Sequence, residues 1–458
     1  MNNFNTKTKE IKEGEFIKNL LQIKDKNITI EKTHNETIKN NQKYFVFKGT
    51  LTYKPKKCEC CGCLNKGYTV VKNGFNELTR INLLKISGIP AYLELRKQRF
   101  KCKTCNKKFV ATTSFVDKYC SISKNVKFSI MSDLADTLSF KQIAKMNNVS
   151  VNTVIRTLYK CKSHVDILNY NTLPEYLCFD ELKFTKDSKN GMSFIFLDAL
   201  THEIIDIVDG RTEYILNNYF SRFSKEARSN VKAICIDIYT PYMKLIRNKF
   251  PNAEIVIDRF HIIQNVNREL NRTRVKLMNI YKKQKGINYT LLKNNWKLIL
   301  EDESNVTHGR FFFNRSFRSL VTRRDILDYL LGLDCIFKAS YERVQDIRYA
   351  IRYRNELEFK ELIEKSTIGL SDGVSKAINT MRKHKEYMLN SVRYSISNGS
   401  LEGINNKIKV LKRVSYGYNS FYNFRLRILV VSRLFVSEYK NNISFKGVLK
   451  NAKQHCIA

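Results

Sequence analysis

The chain has 458 residues, enough for two to four domains at about 100 to 200 residues each, so core size does not limit it. Lysine and arginine total 81 against 43 acidic residues, a formal charge of +38 that favours a polyanionic partner and puts nucleic acid first. No stretch approaches the roughly 18 apolar residues that span a bilayer, and the start MNNFNTKTKEIKEGEF lacks an apolar signal core, so a soluble, intracellular protein with no membrane partner is expected.

Residues 1–43 are polar and read as an N-terminal arm or linker. Residues 44–118 form a β-rich module, because YFVFKGTLTY, GYTVVKNG and AYLELRKQRFKC each alternate as strands do. Six of the twelve cysteines lie here, as Cys58-Glu-Cys60-Cys61-Gly-Cys63 and Cys102-Lys-Thr-Cys105. Two CxxC knuckles about 40 residues apart suit a closed, structural zinc site of the ribbon type. Its ligands are Cys58, Cys61, Cys102 and Cys105, with Cys60 and Cys63 as the alternative register. Free buried thiols are the competing reading, and four cysteines within six residues speak against it.

Residues 119–165 change to helical spacing. In SFKQIAKMNNVSVNTVIRTLYK, small Ala144 faces inward, Asn148 occupies a turn that needs a left-handed residue, Val154 lies in the second helix, and Ser150 can cap that helix. An ordinary helical hairpin has the same pattern; beside a zinc module in a basic chain, a helix-turn-helix is the better reading, with Asn152, Thr153 and Arg156 placed to contact DNA.

From residue 172 to 458 the order is strand, hairpin, helix, strand, helix, strand, then a long basic helical stretch. Asp180 in YLCFDELKF and Asp237 in KAICIDIY each lie among apolar residues on a central strand. A buried carboxylate must pair, neutralise or bind a cation, so either acid alone could be a core salt-bridge partner. Downstream, Leu401, Ile404, Ile408 and Leu411 form a buried helical stripe, and Glu402, Asn405, Lys409 and Arg413 an adjacent polar one. Glu402 in a first helical turn also fits simple dipole stabilisation. Trp296, the lone tryptophan, is either a core anchor or a ring on which a displaced base could stack.

The succession of CxxC knuckles, helix-turn-helix, FDELKF, CIDIYTPY, DRFHIIQ and SNGSLEGINNKIKVLKRVSYGYNSFYNFRLRIL resembles the ISL-three family of bacterial insertion-sequence transposases. The resemblance implies a multidomain α/β protein with an RNase H-like catalytic domain of the DDE class, interrupted by a helical insertion at about 272–395. It implies Asp180, Asp237 and Glu402 as the catalytic acids, holding Mg2+ or Mn2+, with Asp258 and His261 in support. Double-stranded DNA at element ends and targets is then the substrate, bound by a homo-oligomer in the bacterial cytoplasm at the nucleoid, with Lys409 and Arg413 as further DNA contacts. Glu181, next to Asp180, points to the opposite strand face and is the less suitable ligand. A non-catalytic regulator descended from a transposase and a nuclease that cuts without joining are the competing functions.

Overall fold

The computed structural model describes residues 13–39, 42–283, 286–306 and 309–433. The chain divides into two units, one running to Ile167 with Val410–Tyr418 and the chain from Tyr422, the other Leu168–Lys409 with Asn419–Phe421. Mixed sheets and many helices make it a multidomain α/β protein.

In the first unit, helix α1 (Glu13–Leu20) precedes strands β1 (Ile28–Lys39), β2 (Gln42–Leu51), β3 (Val70–Phe75), β4 (Thr79–Asn82), β5 (Ala91–Cys102) and β6 (Lys108–Val110). Strand β5 organises the sheet because Ala91, Leu93 and Leu95 are buried on one face of its first half and Gln98, Phe100 and Cys102 on the other face of its second half. It pairs parallel with β2 and antiparallel with β3, β4 and β6, while β1 extends the sheet beyond β2. Over the described residues 13–39 this corrects the expectation of a polar arm at 1–43, of which residues 1–12 lie outside the described residues. Leu21, Ile23, Ile28 and Ile30 are buried in the core of this sheet, and the few apolar residues of a polar segment suffice to anchor it once strand pairing satisfies the backbone.

Three helices follow: α2 (Lys124–Ala135), α3 (Phe140–Met146) and α4 (Val151–Val165). Asn148 in the α3–α4 turn has φ 51°, and the Ser150 hydroxyl accepts from the Thr153 amide to cap α4. The C-terminal helix Phe421–Arg433 belongs to this unit from Tyr422 onward, which corrects the assignment of the whole chain after residue 172 to one catalytic domain. Fully buried Arg427 decides this: its guanidinium donates to the carbonyl oxygens of Leu134, Asp136 (2.7 Å) and Leu138 (2.9 Å), the orphan acceptors beyond α2. Arg427→Met should therefore lower stability by about 3–5 kcal/mol in chemical denaturation, since the buried Leu134 carbonyl and two partly buried ones lose their donor. A loss below about 1 kcal/mol would show that water replaces the guanidinium.

The second unit is built on strands β7 (Tyr176–Lys183), β8 (Met192–Asp198), β9 (Ile204–Asp209), β10 (Ala233–Ile236) and β11 (Glu254–Ile257). The sheet order is β11-β10-β7-β8-β9, with β7, β8 and β9 antiparallel and β10 and β11 parallel to β7. Helices α5 (Glu213–Phe220), α6 (Lys225–Ser229) and α7 (Thr240–Lys249) connect the strands. On one face Phe179 packs among Phe194, Phe220 and Phe250, with ring centroids 5.0 to 6.0 Å apart.

Helix α8 (Arg259–Lys282) opens the helical segment, which continues through α9 (Ile287–Asn294), α10 (Trp296–Leu300), α11 (Arg323–Leu331), α12 (Cys335–Arg352), α13 (Glu356–Glu364), α14 (Asp372–Lys383) and α15 (Lys385–Arg393). Helix α16 (Gly399–Val414) follows. Inside this stretch, expected to be mainly helical, lies a hairpin of β12 (Phe312–Asn314) and β13 (Ser319–Val321). Its aromatic and β-branched residues favour extended backbone, and the Asn314 side chain accepts from the Ser316 amide at 2.9 Å to form the turn. Among the described residues no helix is long and apolar enough to cross a membrane.

Candidate functional site

The parallel pairing of β7 and β10 sets Cys178 opposite Cys235. Two residues beyond Cys178 on β7 comes Asp180, on the face opposite Phe179, and two beyond Cys235 comes Asp237, one residue past the end of β10. The segment before α16 lies against that face, where the Cys178 thiol donates to the Ser397 carbonyl at 3.4 Å. The Asn398 amide group donates to the Phe179 carbonyl at 3.2 Å and to Asp237 Oδ1 at 3.4 Å. Asn405, buried on α16, donates from Nδ2 to Asp180 Oδ2 at 2.7 Å.

Burial raises the Asp180 carboxyl to about 6, and the neighbouring Asp237 charge adds to it against the hydrogen bonds it accepts. His261 donates from Nε2 to Asp237 Oδ1 at 3.0 Å, and this partner raises its pKa. Asp258 begins α8 without capping it through its side chain. Its buried carboxylate instead accepts from the Asn398 backbone amide at 3.3 Å, and burial raises its pKa. Asp258 and His261 thus make distinct contacts: one accepts from the loop before α16, the other pairs with Asp237.

Glu402 is exposed on α16, one turn before Asn405. The three acids do not gather within 4.8 Å of one another among the described residues. Glu181 is engaged elsewhere, by Arg211 and by the Tyr242 hydroxyl at 3.2 Å. Sequence reasoning placed Asn405 on the stripe of Glu402 but assigned it no contact, and it missed Asn398 and Arg211. The Asn398-Gly399-Ser400 helix start was the available signal for the first.

In the N-terminal sheet, the sulfur atoms of Cys58, Cys61, Cys63 and Cys102 all lie within 4.8 Å of one another. Individual separations are 3.4 Å for Cys63–Cys102 and 3.8 Å for Cys61–Cys102 and for Cys58–Cys105. Thiolates on one tetrahedral zinc ion with bonds of about 2.3 Å stand about 3.8 Å apart, so this donor set fits zinc. The Cys105 backbone N–H, the largest of several hydrogen bonds, helps hold the Cys102 thiol down at about 6, where it is ready to bind metal. The two expected registers are mixed. Gly62, at φ 75°, turns the loop so that the Cys58 N–H donates to the Cys63 carbonyl at 2.9 Å, while exposed Cys60 donates its amide to the Cys58 sulfur. Trp296 is 44% exposed on α10.

A closed thiolate cluster in a β module and paired acids on a mixed sheet, in so basic a chain, describe a DNA-processing protein of the transposase class. A family model described as "Transposase" matches residues 177–428, and one described as "zinc-finger of transposase IS204/IS1001/IS1096/IS1165" matches residues 54–105. The chain belongs to the ISL-three family of insertion-sequence transposases. It is 25% identical over 386 residues, 82% of this chain and 89% of the relative, to the transposase for insertion sequence element IS1001 of Bordetella parapertussis. It is also 40% identical over 119 residues to a Lactococcus lactis protein named as an ATP-dependent protease, a match covering 26% of this chain and 38% of that protein.

Proposed function

We propose that this transposase binds the terminal repeats of an insertion sequence and cuts and joins DNA strands at Asp180, Asp237 and Glu402. The observation that carries the reading is that Asp180, on β7, and Asp237, just past the end of the neighbouring parallel strand β10, accept from Asn405 and Asn398 respectively, with Glu402 one turn before Asn405 on α16. An RNase H-like catalytic domain is supported by the order β11-β10-β7-β8-β9, three antiparallel strands followed by two parallel ones.

Hard oxygen donors suit magnesium or manganese, and the three carboxylates would hold the ions that activate the attacking oxygen and stabilise the leaving one in an in-line displacement. Asn398 and Asn405 orient Asp237 and Asp180, and His261 neutralises Asp237 until a cation replaces it. Zinc is structural, held by Cys58, Cys61 and Cys102 with Cys105, and Cys63 is the rival fourth ligand. A helix-turn-helix reading of α3 and α4 is supported by the Asn148 turn, with Asn152 and Arg156 exposed and Thr153 at the capped start of α4. Lys409 and Arg413 are exposed on α16 and suit phosphate contacts, and a homo-oligomer would bring two element ends together.

Labelled element ends incubated with a supercoiled target should give joined product only with magnesium. Cleavage without joining would establish a nuclease, and binding alone a regulator.

A further inference from the structure

The β12–β13 hairpin turns one apolar face outward. Phe313 and Leu320 are paired across it and are 63% and 66% exposed; Phe311, two residues earlier, is 63% exposed. The hairpin is anchored from its other side. Val321 is buried in the core, Phe317 lies edge-on to Tyr329 at 5.0 Å, and Asn314 accepts from the amides of Ser316 and Phe317. Arg310, Arg315 and Arg318 are exposed and form no ion pair among the described residues. The neighbouring Arg323 and Arg324 are held instead by Glu301 and by Glu303 and Asp328.

Exposed rings on a fixed support, interleaved with unpaired guanidinium groups, call for a ligand that is flat, apolar on its faces and negatively charged along its length. We infer that this hairpin is a platform for unpaired DNA bases, which stack on Phe311 and Phe313 while the three arginines meet the flanking phosphates. The inference rests on the strand-cutting reading only for the source of the unpaired strand. Duplex DNA offers phosphates but covers its base faces. A second copy of the chain fits poorly, because the segment from Gly309 to Val321 has no acidic residue and a two-fold contact would set arginine against arginine.

The test uses the full zinc-loaded chain without divalent metal at the acids, a fluorescent oligodeoxythymidine of about 15 nucleotides and a duplex of equal length. The double variant F311S/F313S should bind the single strand at least about tenfold more weakly and the duplex within about twofold of wild type, while F313W keeps single-strand binding. Thermal unfolding of the variants should match wild type, since the altered rings are exposed. Unchanged single-strand affinity, or equal loss for both probes, overturns the inference. So does a dimer that becomes monomeric in F311S/F313S with single-strand binding intact, which would give the face to a second copy. No cleavage is needed, so a chain that binds the single strand here but never joins DNA would sink the catalytic reading and leave this one standing.

Discussion

Asp180→Asn should abolish cleavage and joining while making the metal-free protein more stable than wild type above about pH 6. The sign follows from the raised carboxyl. Folded Asp180 holds its proton up to about 6 where the unfolded chain releases it near 3.8, so ionisation opposes folding as pH rises through that window. The penalty is absent below the unfolded value and complete above the folded one. Asparagine mimics the neutral acid, can still meet Asn405, and should recover at most about 3 kcal/mol at pH 8 and close to nothing at pH 3. A buried salt-bridge partner would do the opposite and lose about 3–5 kcal/mol on substitution. For the same reason divalent-ion affinity, followed by calorimetry, should rise from pH 5 to about 7 and then level, with one proton released on binding at the acid end.

Its partners separate cleanly. Asp237→Asn should also abolish activity, but it removes the partner that raises His261, whose contribution is present below the unfolded histidine value and lost as pH rises through the folded one. Its cost, discounted for a half-exposed pair, should be no more than about 1 kcal/mol at pH 6 and vanish at pH 9. Exposed Glu402→Gln should change stability little and activity completely, and double substitutions should add nothing further. Wild-type joining by Glu402→Gln would remove the third acid and move the test to Glu181 or Asp258.

Zinc removal should produce the other large effect. Protein purified without chelator should carry about one zinc per chain, and Cys102→Ser should lose it and open the N-terminal sheet, because Cys102 ends the central strand β5 and its sulfur lies 3.8 Å from that of Cys61 and 3.4 Å from that of Cys63. Structural zinc contributes as much as about 10–16 kcal/mol to small ribbons, more than an ordinary domain's whole stability. Cys60→Ser should keep full occupancy. Comparing Cys63→Ser with Cys105→Ser identifies the fourth ligand, since only the true one should release metal. Metal analysis finding no zinc in wild-type protein would falsify the site.

Much of the architecture is legible in local pattern. Alternation in AYLELRKQRFKC and the apolar runs around Asp180, Cys235 and Ile257 specify strands, because side-chain direction repeats every two residues and burial must follow it. Asn148 and Ser150 mark the α3–α4 turn for equally local reasons, backbone conformation and capping. The cysteine knuckles and the acids set in apolar strands likewise announce metal and charge chemistry before any fold is known.

What the sequence determined by itself, then, is the elements and the residue types able to do chemistry. Tertiary structure alone decided which of them meet. Asn405 reaches Asp180 across 225 residues of chain and Arg427 reaches Leu134 across 293, while which thiols converge depends on how a six-residue loop folds back at Gly62. The same holds for residues 13–39, whose composition is that of a solvated arm and whose order comes from pairing with β2. Such contacts are fixed by the requirement that every buried donor and acceptor find a partner, and that requirement acts on whichever groups packing brings together, however far apart they stand in the chain.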